Sequence, residues 1–231
     1  MTDPGAALAP EAREALRRVL ELLREDPASL SSITDERAWQ VHVLDSLTGL
    51  EVPELRGASR IADVGAGAGF PGLVLAVALP DAEVDLIESI ARKTGFIERA
   101  AEAAGIANAS VLNARSEDIA KEGGGDRYDA VTARAVGRLS TLAELASPLL
   151  RRGGVLVAWK GKRDPDEEAE LERASEALAM HPERILEVGD RAGSRHRHLH
   201  VLRKAGPTPD DLPRRAGVAK KRPKGRAEGQ G

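Results

Sequence analysis

A strand that runs directly into a cluster of glycines constrains the fold of this chain more than any other feature. Residues 60–72 read RIADVGAGAGFPG, an apolar run followed by Gly65, Gly67, Gly69 and Gly72. Glycine adopts positive φ angles and lets the backbone approach a ligand with no Cβ in the way. Pro71 suits the first turn of a helix, and the free N–H groups there add to such a site. The segment therefore predicts a strand, a ligand-binding turn and a helix.

Short apolar runs alternate with helical patterns after residue 60. The predicted strands are Ile61–Val64, Val84–Glu88, Ser110–Leu112, Asp129–Ala133, Val155–Trp159, Arg184–Val188 and Leu199–Arg203. Between them, helices are predicted at Gly72–Leu79, Arg92–Ala104, Leu139–Leu150 and Asp166–Met180, with a single turn at Ser116–Ala120. Strands that alternate with helices pair in parallel through right-handed crossovers. We therefore expect an open, doubly wound α/β sheet.

The first 55 residues show helical patterns only. Apolar residues at helical spacing predict an amphipathic helix over Glu11–Glu25. A second helix is predicted from Thr34 or Asp35, as N-cap, to Gly49. We expect a helical cap at residues 1–55, an α/β domain at 56–205 and a C-terminal tail at 206–231.

Charge is distributed unevenly between this tail and the rest of the chain. Residues 206–231 hold seven basic and three acidic side chains, a balance of +4, whereas the whole chain carries −3. The remainder therefore carries −7. Because the tail has few large apolar residues, it predicts a disordered basic arm. Such an arm either attaches to RNA phosphates or only keeps the protein soluble.

Composition excludes several classes of protein. The chain has no cysteine, which excludes disulfides, zinc–thiolate sites, iron–sulfur clusters and thiol catalysis. Two Trp, two Phe and one Tyr are too few for a single-strand binder built on stacked rings. No apolar run is long enough for a membrane span, and the chain starts with an acidic rather than a basic segment. We expect a soluble, cytoplasmic monomer with no metal and no membrane partner.

The glycine loop is compatible with two different cofactors. The letters from Gly67 to Gly72 match the dinucleotide fingerprint G-x-G-x-x-G, and Glu88 ends the next predicted strand, where an acid can hold a ribose. An NAD-dependent oxidoreductase is therefore one interpretation. However, Gly65 directly follows the strand and Asp63 lies within it, giving DVGAGAG. This arrangement resembles motif I of the S-adenosylmethionine methyltransferases, whose loop wraps the methionine and sugar parts of the cofactor.

Further motifs narrow the interpretation to one family. They are HVLDS from residue 42, GAGAGFPG from 65, ES at 88 with RK at 92, RSE at 115, TARA at 132, WKG at 159 and RHL at 197. In this order they resemble the bacterial small-subunit ribosomal RNA guanine-N7 methyltransferases, also called glucose-inhibited division protein B, over residues 29–204. The resemblance implies a class I, Rossmann-like methyltransferase fold, with a seven-stranded, mostly parallel sheet, helices on both faces and an N-terminal helical cap.

The glycine loop and the resemblance together assign roles to single residues. The residues expected to bind S-adenosylmethionine are Asp63, Gly65, Gly67, Gly69, Phe70, Glu88, Ser116 and Glu117, the last two beside the adenine. The resemblance places Arg134 at the boundary between cofactor and substrate, so Arg134 is expected to bind the cofactor as well. It implies that three basic residues face the RNA, namely Arg115, Lys160 and Arg197. Arg134 and Lys160 are the catalytic candidates, because they would position the guanine or its phosphates.

Other polar residues are interpreted without a catalytic role. His42 lies on the inner face of a predicted helix and is interpreted as a hydrogen-bonded packing residue, while Asp45 could pair with His42 or with Arg37. Alternation at strand spacing, with no carboxylate nearby, predicts a solvated or RNA-facing edge rather than a metal site for His196, His198 and His200. A solvated helix face is predicted for Glu167, Glu168, Glu170 and Glu172.

The chemistry implied by the resemblance is methyl transfer to guanine N7. This nitrogen already has a free lone pair, so catalysis needs no general base and can rest on holding the reacting atoms in line. We therefore expect a methyltransferase that acts on 16S ribosomal RNA or the small ribosomal subunit. An NAD-dependent oxidoreductase and a non-catalytic RNA-binding module remain open as alternatives at this point.

Overall fold

A seven-stranded sheet forms the centre of the computed structural model, which describes residues 8–27, 30–189 and 196–226. The strands are β1 (Arg60–Val64), β2 (Glu83–Ile87), β3 (Ala109–Leu112), β4 (Tyr128–Arg134), β5 (Leu150–Lys160), β6 (Met180–Glu187) and β7 (His198–Lys204). Their spatial order is β3-β2-β1-β4-β5-β7-β6. Strands β1 to β5 pair in parallel, and β7 runs antiparallel to both β5 and β6. The expected mostly parallel sheet is confirmed.

Helices cover both faces of the sheet. They are α1 (Pro10–Glu25), α2 (Asp45–Leu47), α3 (Pro53–Arg56), α4 (Gly72–Ala78), α5 (Ala91–Ala103), α6 (Ser116–Ile119), α7 (Leu139–Ala146), α8 (Pro165–Leu178) and α9 (Val218–Lys221). Each face has its own buried apolar cluster between the sheet and its helices. Helices α1, α4 and α5 contribute to one cluster, and α7 and α8 contribute to the other. No helix among the described residues is long and apolar enough to cross a membrane.

The N-terminal cap shares its core with the sheet. Leu16 and Val19 of α1 are fully buried in the same apolar cluster as Ile61 of β1. Instead of one regular helix up to residue 49, the chain forms a π-helical turn at Trp39–Leu44, then α2, then a 3-10 turn at Thr48–Glu51. A Cβ on Gly49 would lie 2.6 Å from the ring of Trp159, so the glycine allows the cap to touch β5. The cap therefore has no separate core.

Several element boundaries differ from those predicted, because local backbone geometry overrides the apolar pattern. Helix α8 ends at Leu178, where Ala179 takes a left-handed φ of 51°, and β6 starts immediately afterwards. Helix α7 stops at Ala146, four residues before its predicted end, and β5 begins at Leu150. Strand β5 thus includes Gly153 and begins earlier than Val155, where its apolar run starts.

The C-terminal segment packs against the body, so the prediction of a disordered arm is wrong for residues 206–226. Leu212 and Ala219 are buried, and Arg214 forms an ion pair with Glu144, which is itself buried. The contacts that hold the segment, among them these two apolar residues and this ion pair, are scattered along it, a signal too sparse for an apolar pattern to show. Residues 227–231 of the predicted arm lie outside the described residues.

Candidate active site

The glycine loop between β1 and α4 is fixed from below by Asp63. This side chain is 1% exposed; its Oδ2 accepts a hydrogen bond from the Gly72 amide at 2.9 Å and its Oδ1 one from the Thr132 hydroxyl at 2.8 Å. Burial raises the pKa of Asp63 to about 6, and these two donors oppose the rise. Because Asp63 is buried and bonded to protein donors, it holds the loop, and the predicted contact with the cofactor is corrected to this role.

Three glycines of the loop adopt left-handed backbone conformations. The φ angles are +70° at Gly65, +62° at Gly67 and +91° at Gly69, a region that L side chains rarely adopt. A Cβ on Gly65 would also lie 2.7 Å from Val136, and one on Gly69 would lie 2.6 Å from Leu73. The loop therefore needs glycine at these positions for conformation, and at Gly65 and Gly69 for space as well.

A cavity of about 290 Å³ opens at the carboxyl edge of the sheet, after β1 to β4. Its lining includes Gly65, Glu88, Ile90, Arg115, Ser116, Glu117, Ala135, Val136, Thr141 and Gly217. The volume is near the lower end of the roughly 300–1,000 Å³ found for small-molecule sites. Ligands of open α/β sheets bind at this edge. Of the predicted cofactor residues, the structure thus brings Gly65, Glu88, Ser116 and Glu117 to one cavity.

Glu88 presents its carboxylate to this cavity with spare hydrogen-bonding capacity. Its Oε2 accepts from the Gly67 amide at 3.2 Å and its Oε1 from the Ile90 amide at 3.0 Å, while Lys93 Nζ lies 3.6 Å from Oε2. Each carboxylate oxygen has two lone pairs, so both can still accept from a ligand hydroxyl. The donor set fits the ribose of a nucleoside cofactor, with Gly67 acting through Glu88 rather than on the cavity itself.

Sequence reasoning missed an apolar residue of the cavity. Ile90 is 44% exposed, which is unusual for a large apolar side chain, and it lines the cavity two residues after Glu88. The available signal was a large apolar residue two positions after a predicted strand end. Such a side chain gives the pocket a surface on which a flat ring can pack.

Ser116 and Glu117 lie at the start of α6, after β3. The Ser116 hydroxyl donates to Glu117 Oε2 at 3.2 Å, and Glu117 Oε1 accepts from the backbone amide of Gly217 at 3.0 Å. Arg115, just before them, is exposed at the cavity rim. Gly217 is part of the C-terminal segment, so a second set of lining residues was also missed by the sequence interpretation.

A second polar group, centred on Asp45 of the cap, lies beside the cavity. Asp45 Oδ2 accepts from Arg134 Nη1 at 2.9 Å, and Arg197 Nε lies 2.7 Å from Oδ1 in an ion pair. Asp45 is 1% exposed. Ala135, the residue after Arg134, lines the cavity, which places the group next to it. Two cations share one carboxylate, so the group keeps one net positive charge.

The pairing partners that the sequence left open for Asp45 are not the observed ones. Arg37 forms its ion pair with Asp35 instead, at 2.9 Å. The hydrogen bond to Asp45 comes from Arg134 and not from His42. The observed partner Arg134 is 89 positions away along the chain. We refer to Asp45, Arg134 and Arg197 together as the arginine cluster.

His42 and Phe70 support this cluster from beneath. Their rings stack with centroids 4.7 Å apart, and Arg134 lies over the Phe70 ring at 5.8 Å. His42 Nε2 is 2.9 Å from the Ile33 carbonyl, so this nitrogen carries the proton, and Nδ1 is 3.5 Å from Arg134 Nη2. Burial lowers the pKa of His42 below its usual 6.5, which keeps the ring neutral at pH 7. Phe70 is 5% exposed and supports Arg134 rather than lining the cavity.

Lys160, at the end of β5, is engaged by helix α8. Its Nζ donates to Glu167 Oε1 at 2.7 Å and to the Gly137 carbonyl at 3.0 Å. Glu167 also accepts from the Leu139 amide at 2.7 Å, so one carboxylate ties β5 to the start of α7. Glu167 and Glu170 are buried, and their predicted solvated face is wrong, because they accept hydrogen bonds from these neighbouring elements.

Of the histidines near β7, His196 is exposed as predicted, but His200 differs from the predicted solvated edge. His200 is buried, and burial lowers its pKa to about 4. His198 Nδ1 lies 3.0 Å from the Gly161 carbonyl. Within the described part of the chain, no group of three or more His, Cys, Asp or Glu side chains is placed to hold a metal ion.

Solved structures with a similar fold include a methyltransferase and an RNA-processing protein. A SAM-dependent methyltransferase from Aquifex aeolicus superposes with a TM-score of 0.55 and 19% identity, covering 77% of this chain and 97% of that one. The fibrillarin pre-rRNA processing protein of Methanococcus jannaschii gives a TM-score of 0.55 and 16% identity, covering 71% and 74%. At these identities the likeness shows the fold, a class I Rossmann-like sheet.

Similarity in sequence is closer and covers more of the chain. The ribosomal RNA small subunit methyltransferase G of Rubrobacter xylanophilus is 44% identical over 79% of this chain and 71% of its own length. The protein of the same name from Symbiobacterium thermophilum is 38% identical over 95% of this chain and 93% of its own. The sequence model of the rRNA small subunit methyltransferase G family matches residues 14–199. The chain therefore belongs to the ribosomal RNA small subunit methyltransferase G family.

Proposed function

We propose that the protein transfers the methyl group of S-adenosylmethionine to N7 of a guanine in 16S ribosomal RNA. The observation that carries the proposal is the placement of the Glu88 cavity directly beside the arginine cluster, in a chain of this family. The cavity offers groups suited to a nucleoside, and the cluster offers net positive charge to a nucleic acid. An NAD-dependent oxidoreductase and a non-catalytic module are not favoured by the family.

The cofactor would be held by groups already described. Glu88 offers two oxygens with spare lone pairs, Gly65 brings its backbone to the cavity without a side chain, and Ile90 provides apolar surface. When bound there, S-adenosylmethionine supplies a methyl group activated by its positively charged sulfur. The task of the chain is then to hold the acceptor base in line and to exclude water.

No residue of the site needs to remove a proton, because guanine N7 carries none. His42 is buried, and its N–H is bonded to the Ile33 carbonyl. Its other ring nitrogen, Nδ1, lies 3.5 Å from Arg134 Nη2, so the lone pair that a general base would use is directed at this arginine. The site is thus consistent with catalysis by placement alone.

The arginine cluster is the proposed contact with the RNA. The planar guanidinium group suits guanine O6 or phosphate oxygens, and Asp45 holds the side chain of Arg134 in one orientation. Arg115 and Lys220 are exposed at the cavity rim and would meet the RNA backbone. Lys160 would act indirectly, because its ammonium group is already bonded to Glu167.

Product analysis tests the proposal. The protein is incubated with tritium-labelled S-adenosylmethionine and either 16S RNA or small ribosomal subunits, and the RNA is digested to nucleosides. We expect label in 7-methylguanosine. The Gly65→Val variant is the inactive control, since valine cannot adopt φ of +70° and collides with Val136. Label on an exocyclic nitrogen or a ribose would overturn the N7 assignment.

A further inference from the structure

The segment 206–226, here called the C-terminal strap, runs from the end of β7 back across α7 and α8 to the cavity. It is anchored at several points. Arg214 pairs with the buried Glu144 of α7 through both Nε and Nη2, and Leu212 is 8% exposed in the cluster formed by α7 and α8. Arg173 of α8 donates to the Gly225 carbonyl at 2.8 Å. The strap therefore has a defined position on the domain.

The strap is also bonded to itself. Arg214 Nη2 donates to the Arg222 carbonyl at 2.9 Å, and Lys224 Nζ is 2.6 Å from Asp211 Oδ2. These contacts fold the segment around α9.

Three strap residues line the cavity, namely Gly217, Ala219 and Lys220. The Gly217 amide donates to Glu117 Oε1 at 3.0 Å, and the Thr141 hydroxyl donates to the Ala219 carbonyl at 3.3 Å. Gly217 has a φ of +79° with nothing within 4 Å of a Cβ built there, so glycine serves the turn rather than a tight contact. The strap and α7 thus form a continuous wall of the cavity.

We propose that the C-terminal strap is part of the cofactor site and positions bound S-adenosylmethionine against Glu88, Ser116 and Glu117. This inference rests on the proposed function, since it concerns the same cavity. Without the strap, the side of the cavity that Gly217, Ala219 and Lys220 line is open, and Glu117 loses a partner. Docking of the strap completes the pocket and buries more of the cofactor. Affinity should therefore depend on residues far from the glycine loop.

Calorimetric titration of the full chain with S-adenosylhomocysteine tests the inference. Arg214→Ala removes the anchor on Glu144, and Arg215→Ala is the matched control, because Arg215 is adjacent, has the same charge and is exposed. We expect the Kd to rise at least about tenfold in Arg214→Ala and to change less than about twofold in Arg215→Ala. Equal affinity in all three proteins would overturn the inference.

A second measurement uses the unchanged chain, because Arg214→Ala leaves Glu144 buried without its cation and could unfold the domain. Hydrogen–deuterium exchange is measured with and without S-adenosylhomocysteine. We expect the amides of residues 217–221 to gain protection together with those of the loop at 65–69. Protection of the loop with no change in the strap would overturn the inference and leave the proposed function intact. No binding by the unchanged chain would instead refute the proposed function.

Discussion

Glu88 and Asp45 are both buried carboxylates at the carboxyl edge of the sheet, but they are held by different partners. Glu88 accepts from two backbone amides, with a lysine 3.6 Å away. Asp45 lies between two arginines, at 2.9 Å and 2.7 Å. The first arrangement leaves lone pairs that can accept from the hydroxyls of a ligand, whereas the second leaves a positive charge for an anionic ligand. The two regions are therefore suited to different molecules, the cofactor and the RNA.

Replacement of Arg134 by alanine should give the largest effect. It should lower turnover and leave cofactor binding unchanged. We expect turnover at saturating cofactor to fall by about 100-fold or more, because the acceptor base is no longer held in place. The fold should persist, since Asp45 keeps its ion pair with Arg197. The measurement is methyl transfer to 16S RNA at fixed high cofactor concentration.

The matched control is Arg127→Ala, an exposed arginine next to the opposite end of β4. It should keep full turnover. The Kd of Arg134→Ala for S-adenosylhomocysteine should stay within about twofold of the parent value. A large loss of cofactor affinity in Arg134→Ala would break the division between the two regions.

Replacement of Glu88 by alanine should have the converse effect. Alanine removes the charged carboxylate whose two oxygens would accept hydrogen bonds from the hydroxyls of the cofactor. We expect cofactor binding to weaken by about 10- to 100-fold, while turnover at saturating cofactor stays close to normal. Glu83→Ala is the control, because Glu83 lies at the other end of β2 with 70% of its side chain exposed. Unchanged affinity in Glu88→Ala would remove Glu88 from the cofactor site.

The smallest effect is expected for Lys160. It tests whether this lysine contacts the RNA in addition to Arg134 and Arg197. Lys160→Met leaves Glu167 buried without its cation and should lower the free energy of unfolding by about 2 kcal/mol. The double variant Lys160→Met with Glu167→Gln should recover most of that loss and of the turnover. Urea unfolding and methyl transfer measure the two quantities. Normal stability with lost turnover in Lys160→Met would place Lys160 in contact with the RNA.

The sheet and the glycine loop could be predicted because their signals are local. Alternating apolar runs specify β1 to β5, and the glycines mark a backbone with positive φ. The environment of Arg134 could not be predicted, since its carboxylate partner comes from the cap, 89 positions away. Burial of Glu167 likewise depends on the Leu139 amide and Lys160, which no helical charge pattern reveals.

The C-terminal strap shows a different limit. Its composition is that of a solvated tail, but a buried carboxylate on α7 pairs with Arg214, and a small apolar pocket receives Leu212. These receiving sites exist only after the domain has folded. Composition therefore predicted the charge of the segment correctly and its conformation incorrectly.

The pH dependence of a single turnover tests most directly whether placement alone performs the chemistry. With enzyme and cofactor in excess over 16S RNA, the rate should stay constant within about twofold between pH 6.5 and 8.5, because guanine N7 has no proton to lose. Burial lowers the pKa of His42 below its usual 6.5, and the pKa of Asp63 is about 6, so both groups titrate below that window and any fall in rate within it would come from another group. A tenfold fall in rate for each unit of decreasing pH would reveal an essential general base and contradict the mechanism.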